Sequence, residues 1–240
     1  MKVGIVIGAG GGIGSACTRA LASSVDVTLL VGRDEGRLRA TAAGLDARTD
    51  LVPADIATEE GRESIAHRIQ DVGGEIGWLV LASGVPLRGP LPHLAPEAIL
   101  RTFIVNLVGP ALLLRRLLDC PWRSGAGIVV IGSISASRAL PDRSVYSAAK
   151  AGLEHLAHSL AAEVASRGIR VNVVSPGVID TPFLGEARQS LQAWVAARVP
   201  QGRAGTPDEV ANVVRYLAVD APAYVTGARI TIDGGAESMA

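Results

Sequence analysis

The chain has 240 residues, 48% hydrophobic and 19% charged, and its 23 Lys and Arg balance 23 Asp and Glu at a pI near 6.9. That balance excludes the clustered basic surface of a nucleic-acid-binding protein, and the length can bury one large α/β core. Mean hydropathy is +0.33, yet the richest stretch, Phe103 to Leu118, is interrupted by Asn106, Gly109, Pro110, Arg115 and Arg116. It falls short of the roughly 18 apolar residues of a spanning helix. Cys17 and Cys120 form neither a CxxC pair nor a disulfide framework and read as buried small hydrophobes of a reducing compartment. His155 and His158 share a helix face without a third ligand, so no metal is expected.

Val3 to Ile7 is a β-branched run of the kind that forms a buried parallel strand. Gly8-Ala9-Gly10-Gly11-Gly12-Ile13-Gly14 follows, and then a helical pattern through Ala16, Ala20 and Leu21. A strand, a glycine turn and a helix start cradle a pyrophosphate, because glycines let backbone N–H groups and the positive helix end approach it. Lys2, the apolar run and Ala20-Leu21-Ala22 superficially resemble a secretory signal, but the five glycines from Gly4 to Gly12 argue against it. The chain therefore reads as cytoplasmic. Val25 to Val31 is the second strand, ending in Gly32-Arg33-Asp34. An acid at this tip would grip ribose hydroxyls and favour NAD(H), whereas an arginine accommodates a 2′-phosphate. Gly32 and Arg33 favour NADP(H). NAD(H) stays possible, because Asp34 is adjacent and Arg33 could instead cap the next helix.

Asp34 to Leu45 is that helix, Asp50 to Pro53 a short strand, and Asp55-Ile56 precedes a helix from Thr58 to Val72. Ile76 to Ala82 is the fourth strand, followed by Ser83-Gly84. Pro96 to Asp119 is a long helix, apolar around nearly its whole circumference, which predicts burial on every side. One face would cover the sheet and the other a second subunit. Within it, Pro110 lacks the N–H that would bond the Asn106 carbonyl, leaving that oxygen for water.

The run Ile128 to Ile131 ends at Gly132-Ser133, at a strand tip where α/β proteins place ligands. Tyr146 and Lys150 stand at i and i+4, on one face of the helix over 145–167. An ammonium near a phenol lowers its pKa from about 10 toward the range of a general acid or base. Arg170 to Ser175 is another buried strand, leading into Pro176-Gly177-Val178-Ile179-Asp180-Thr181. Residues 182–205 read as a mobile lid, Thr206 caps a helix to about Ala218, and Ala228 to Ile232 is the last strand.

The spacing of Gly8, Gly12 and Gly14, the Ser133/Tyr146/Lys150 set, Asn106 and the Pro-Gly turn together resemble the short-chain dehydrogenase/reductase family over almost the whole chain. The resemblance implies a single Rossmann domain over 1–240, a doubly wound parallel sheet of about seven strands with helices on both faces. It implies an enzyme that moves a hydride between a nicotinamide and the carbonyl/alcohol pair of a small apolar substrate. Tyr146 would transfer the hydroxyl proton, Lys150 would lower its pKa and hold the ribose, and Ser133 would bond the substrate oxygen. Asn106 would hold a relay water. Gly8, Gly12, Ile13, Gly14, Arg33, Asp55, Ile56, Gly84, Tyr146, Lys150, Pro176, Ile179 and Thr181 would line the cofactor, with Asp55 at the adenine amino group. The family pattern fails at Ile7 and at Leu81-Ala82-Ser83-Gly84, where Thr or Ser and Asn-Asn-Ala-Gly are usual; a paired swap to apolar packing can be nearly neutral. A homo-oligomer, dimer or tetramer, is expected through helices 96–119 and 145–167. Two alternatives stay open: a 3-oxoacyl-(acyl-carrier-protein) reductase, with Arg88, Arg138, Arg143 and Arg188 facing an acidic carrier, and a dinucleotide-binding sensor or scaffold without turnover.

Overall fold

The computed structural model describes residues 1–239, and their side chains except those of residues 186–190 and 239. Lys2–Ile7 (β1), Val27–Gly32 (β2), Thr49–Pro53 (β3), Glu75–Leu81 (β4), Trp122–Ile131 (β5), Arg170–Pro176 (β6) and Arg229–Ile232 (β7) form one sheet in the order β3-β2-β1-β4-β5-β6-β7. Neighbouring strands are all parallel. Successive side chains enter opposite apolar layers, as a pleated strand requires: Ile5 and Ile7 point into one, Val6 into the other. Burial on both faces is why these strands appear in the sequence as unbroken apolar runs.

Ile7 pairs with Val31 on one side and Leu81 on the other, and Leu81 pairs with Val130. The ends of β2, β1, β4 and β5 are therefore level. Strand order reverses between β1 and β4, and the connections leaving these two strands diverge, which opens a crevice above their ends.

The helices are Gly12–Leu21 (α1), Glu35–Ala42 (α2), Glu59–Val72 (α3), Pro96–Phe103 (α4), Gly109–Leu117 (α5), Ser144–Val164 (α6), Arg188–Arg198 (α7) and Pro207–Arg215 (α8). Their termini follow local chemistry. Asp34 caps α2, accepting from the Arg37 N–H at 3.0 Å. That helix stops three residues before Leu45, where Gly44 turns back at φ +80. Thr58 caps α3 through the Gly61 N–H at 3.1 Å, so Asp55 stands before the cap. β5 begins at Trp122, ahead of Ile128, because exposed Arg123, Ser124 and Gly125 hide its first half.

The long helix is one unit, Pro96–Leu117, whose middle turn Ile104–Val108 is a π-helix. The wider turn goes with Pro110, which supplies no N–H, while Gly109 donates back to Ile104. At 22 residues and mean hydropathy 1.6, this helix is long and apolar enough to cross a membrane by length and composition alone, contrary to the length expected from its polar interruptions. Nor is it buried all round. Val105, Asn106, Leu113, Leu114 and Leu117 face inward, whereas Leu100 (62%), Ile104 (38%), Val108 (42%) and Leu112 (37%) are exposed in the single chain. Cys17 and Cys120 are free and buried, and burial pushes the Cys17 thiol up to about 12.

Candidate active site

The crevice is built first by the turn after β1. Gly8 (φ +87) and Ala9 both donate N–H to the Val31 carbonyl, at 2.8 and 3.0 Å, which lashes the turn to the end of β2. A Cβ at Gly14 would lie 2.1 Å from the Gly8 carbonyl oxygen, and one at Gly12 would lie 2.6 Å from Thr181 Cγ2. Only glycine permits these approaches. The start of α1, with Gly11 as its cap and no side chain upon it, opens on this turn, and Ile13 packs behind it. Thr181 thus lies across the slot from Gly12, carried by the Pro176–Thr181 turn. That turn is held by Gly177 N–H to the Ile232 carbonyl at 2.8 Å and by a bridge from buried Ile179 to Gly205.

At the β2 tip, Gly32 sits beside Gly10, whose backbone nitrogen is 3.9 Å from where a Gly32 Cβ would be. Asp34 is occupied with α2: Oδ1 accepts from the Arg37 backbone, and Oδ2 is 3.6 Å from Arg37 Nε. Arg33 is exposed. Arg37, which the sequence reading missed, packs against the turn, its Cβ 2.9 Å from where a Gly10 Cβ would be. Asp55 accepts from the Ala57 N–H at 3.0 Å, and Ile56 is buried in the apolar layer under the sheet.

At the departure, Ile7 and Leu81–Ala82, the strand ends stay joined through the main chain: Ala82 N–H donates to the Ile7 carbonyl at 2.9 Å, and Ile7 and Leu81 are both 1% exposed. The apolar packing of Ile7 and Leu81 thus coexists with a backbone hydrogen bond between the two strand ends. Ser83 Oγ, next along, is buried without a partner among the described residues. An orphaned hydroxyl beside glycines that a Cβ would fill is a fitting surface for a dinucleotide.

The chemistry-bearing side chains gather over β4 and β5. A Cβ at Gly84 would meet Asn106 Oδ1 at 3.0 Å and Lys150 Nζ at 3.8 Å. The Asn106 amide clamps the chain after Gly84, accepting from the Val85 N–H and donating to its carbonyl, both at 3.0 Å. The side chain is thereby committed, so any water would bind its main chain. Lys150 Nζ donates to the Ile131 carbonyl at 2.8 Å. Ser133 Oγ lies 2.8 Å from Ser135 Oγ, and the Ser133 side chain faces the Tyr146 phenol, whose pKa it lowers. Phe183 flanks the Tyr146 ring at 6.3 Å between centroids, and the Arg143 guanidinium lies 5.7 Å from it.

Electrostatics here run opposite to expectation. Burial pushes the Tyr146 phenol up to about 12; Arg143 and Ser133 pull it down less, and Glu154 adds to the rise. Burial also lowers Lys150 to about 8, with Glu154 opposing. Both groups lose water, and a charged form without water is disfavoured whatever its sign. Arg143, rather than Lys150, is the cation acting on the phenol within the protein.

Glu154, one turn beyond Lys150 and 6% exposed, is a second residue the sequence reading missed. Its carboxylate accepts from the Ser133 N–H at 3.0 Å and the Ser175 hydroxyl at 2.6 Å, and it pairs with Arg229 Nε at 3.0 Å. It thus anchors the serine turn to β6 and β7. An acid at a helical i+4 step from Lys150 was visible in the sequence, but its partners on distant strands were not. Among the described residues, no group of three or more His, Cys, Asp or Glu could hold a metal ion.

Residues 8–237 match the protein-family model described as enoyl-(acyl carrier protein) reductase. Over 238 residues the chain is 35% identical to cis-4-hydroxycyclohexanecarboxylate dehydrogenase of Sinomonas cyclohexanicum, covering 98% of this chain and 96% of that one. It is 33% identical to the 3-oxoacyl-(acyl-carrier-protein) reductase FabG of Escherichia coli strain K12, with 98% and 96% covered. The crystal structure of a 3-oxoacyl-(acyl-carrier protein) reductase from Brucella melitensis in complex with NAD superposes with a TM-score of 0.89 at 29% identity, covering 99% of this chain and 97% of that one.

Proposed function

This chain belongs to the short-chain dehydrogenase/reductase family and is an oxidoreductase acting on CH–OH or carbonyl groups; from that premise we propose that it is an NADP(H)-dependent reductase of a small ketone, with Tyr146 as proton donor. The observation that carries the reading is the convergence of Gly84, Asn106 and Lys150 within one side-chain length, beside Tyr146 and Ser133, over the β4 and β5 ends. The family binds a nicotinamide dinucleotide, which supplies or accepts the hydride when bound.

The chain's own groups do the rest. The Tyr146 hydroxyl, held protonated at neutral pH, gives its proton to the carbonyl oxygen as negative charge develops there. The Ser133 hydroxyl donates to the same oxygen. Lys150, charged below about 8, holds the ribose and returns a proton to Tyr146 through a water on the Asn106 carbonyl. Arg33 at the β2 tip and Arg37 against the glycine turn support NADP(H) over NAD(H), since Asp34 is occupied with its helix. Asp55 binds the adenine end, and residues 182–205 act as the substrate lid within a single domain. A second copy covers Leu100, Ile104, Val108 and Leu112, exposed at i, i+4 intervals along the continuous helix Pro96–Leu117.

The carrier-linked alternative has weaker support. Arg138 donates to the Ala236 carbonyl at 2.5 Å, and the Arg188 side chain lies outside the described residues, leaving only Arg88 and Arg143 of its basic set. A sensor without turnover has no need of the Ser133, Tyr146 and Lys150 set. The test is Tyr146→Phe, assayed against a panel of ketones with both dinucleotides. Turnover is expected to fall by roughly 100-fold or more, the scale of a positioned acid, while dinucleotide binding measured by fluorescence is kept. Unchanged turnover would remove Tyr146 from the mechanism.

A further inference from the structure

The mouth of the site carries more positive charge than carbonyl reduction requires. The half-buried Arg143 guanidinium stacks over the Tyr146 ring, 5.7 Å from its centroid. Arg88, exposed, stands next to Gly89 on the connection that meets the Arg143 loop, and its charge adds to the larger effect of burial in lowering the Arg143 pKa. The two arginines come from different connections, one after β4 and one before α6, which the Gly89 N–H ties to the Asp142 carbonyl at 2.9 Å. Among the described residues, neither guanidinium has a carboxylate partner. Other arginines do better: Arg229 has Glu154 and Glu237, and Arg203 has Glu209. Asp142, the acid next in sequence, is exposed and makes no described side-chain bond. Two like charges held together at the edge of a buried site repel, and a bound oxyanion would relieve that repulsion with charge-assisted hydrogen bonds to forked donors.

Resting on the reductase reading above, we propose that Arg143 and Arg88 form an anion subsite for the substrate, which is a small oxo or hydroxy carboxylic acid with an apolar body. The carboxylate lies against Arg143 beside the Tyr146 ring, and the apolar body lies toward Phe183, whose ring centroid is 6.3 Å from that of Tyr146. Guanidinium groups bind phosphate equally well, so the prosthetic arm of a carrier protein is the other source of such an anion. Its phosphate, however, is separated from the reacting carbonyl by a long arm, whereas Arg143 touches the catalytic ring itself.

The test compares 4-oxocyclohexanecarboxylate with its neutral methyl ester in wild type, Arg143→Gln and Arg88→Gln. The readout is the acid-to-ester ratio of kcat/KM, which a general loss of activity leaves unchanged. The wild-type ratio is expected to exceed about 10 and to fall about tenfold or more in each variant, the scale of one charge-assisted hydrogen bond. Calorimetric binding of cyclohexanecarboxylate against cyclohexanecarboxamide to the dinucleotide-loaded protein reads the subsite without turnover, and preference for the carboxylate lost in both variants is the supporting result. Turnover of the ester at a wild-type ratio near one overturns the anion subsite while sparing the reductase. Carboxylate-selective binding without reduction of any ketone keeps the subsite and overturns the reductase. Preference for a phosphopantetheine thioester over both small ketones, with neither arginine affecting it, assigns the anion to a carrier arm and also overturns the proposal.

Discussion

Lys150 shows how far one residue can be held from its ordinary state. It is 3% exposed, its Nζ is bonded to the Ile131 carbonyl, and burial lowers its pKa from 10.5 to about 8. The unfolded chain therefore binds this proton more tightly than the folded one. Between about 8 and 10.5 the unfolded state carries the extra proton, so stability from this group rises with pH across that window and is lowest below it. The shift corresponds to roughly 3 kcal/mol of destabilisation at neutral pH. Replacing Lys150 by Met removes the buried charge and keeps the volume. We expect Lys150→Met to be inactive yet more stable at pH 7 in urea unfolding, with its advantage shrinking as pH rises past 8 toward 10.5. A variant no more stable than wild type at pH 7 would mean that the Ile131 bond outweighs desolvation. The residue types at this site were legible from the Tyr146–Lys150 spacing, because helical geometry alone puts them on one face. The direction of the Tyr146 shift was not legible, because it follows from burial, which spacing does not report.

At the scale of elements, strands were easier to read than helices. Residues such as Val129 and Val80 are buried on both sides and appear as apolar runs, while β5's exposed beginning at Arg123 and Ser124 carried no such mark. In the long helix, apolar character showed on every face, but sequence could not say which face meets the sheet. Packing decides it: Leu113, Leu114 and Leu117 turn inward, and Leu100, Ile104, Val108 and Leu112 form the stripe left outside. A continuous apolar stripe on an otherwise balanced surface is the expected footprint of self-association. A charge in its middle would be desolvated without a partner on assembly. Ile104→Glu is therefore expected to yield a monomer by light scattering with its secondary structure intact, where wild type gives a dimer or tetramer. A wild-type monomer would end the oligomer reading.

The whole molecule is organised so that the dinucleotide crevice draws on both halves of the sheet. Gly8 is bonded to β2, Thr181 comes from the turn after β6, and Gly84 follows β4. A ligand lying across these segments joins parts far apart in sequence, and its binding free energy adds to the stability of the folded state. The glycine turn itself was legible because the close approaches at Gly12 and Gly14 need residues without a Cβ. The β2 tip was only half legible: Arg33 is next to Gly32 in sequence, whereas Arg37 reaches the turn only through the folding of α2 against Gly10. If these two guanidiniums select the 2′-phosphate, equal concentrations of NADPH and NADH must stabilise the protein unequally. A free ligand at 100 times its Kd contributes about 2.7 kcal/mol, and for a chain of this size each kcal/mol moves Tm by roughly 2–4 °C. A tenfold preference is then worth about 1.4 kcal/mol, or about 3–6 °C between the two dinucleotides. Arg33→Gln with Arg37→Gln should bring the two melting curves together by lowering the NADPH curve and leaving the NADH curve where it was. An NADH shift equal to or larger than that of NADPH in the wild-type protein would reverse the preference and return the β2 tip to Asp34.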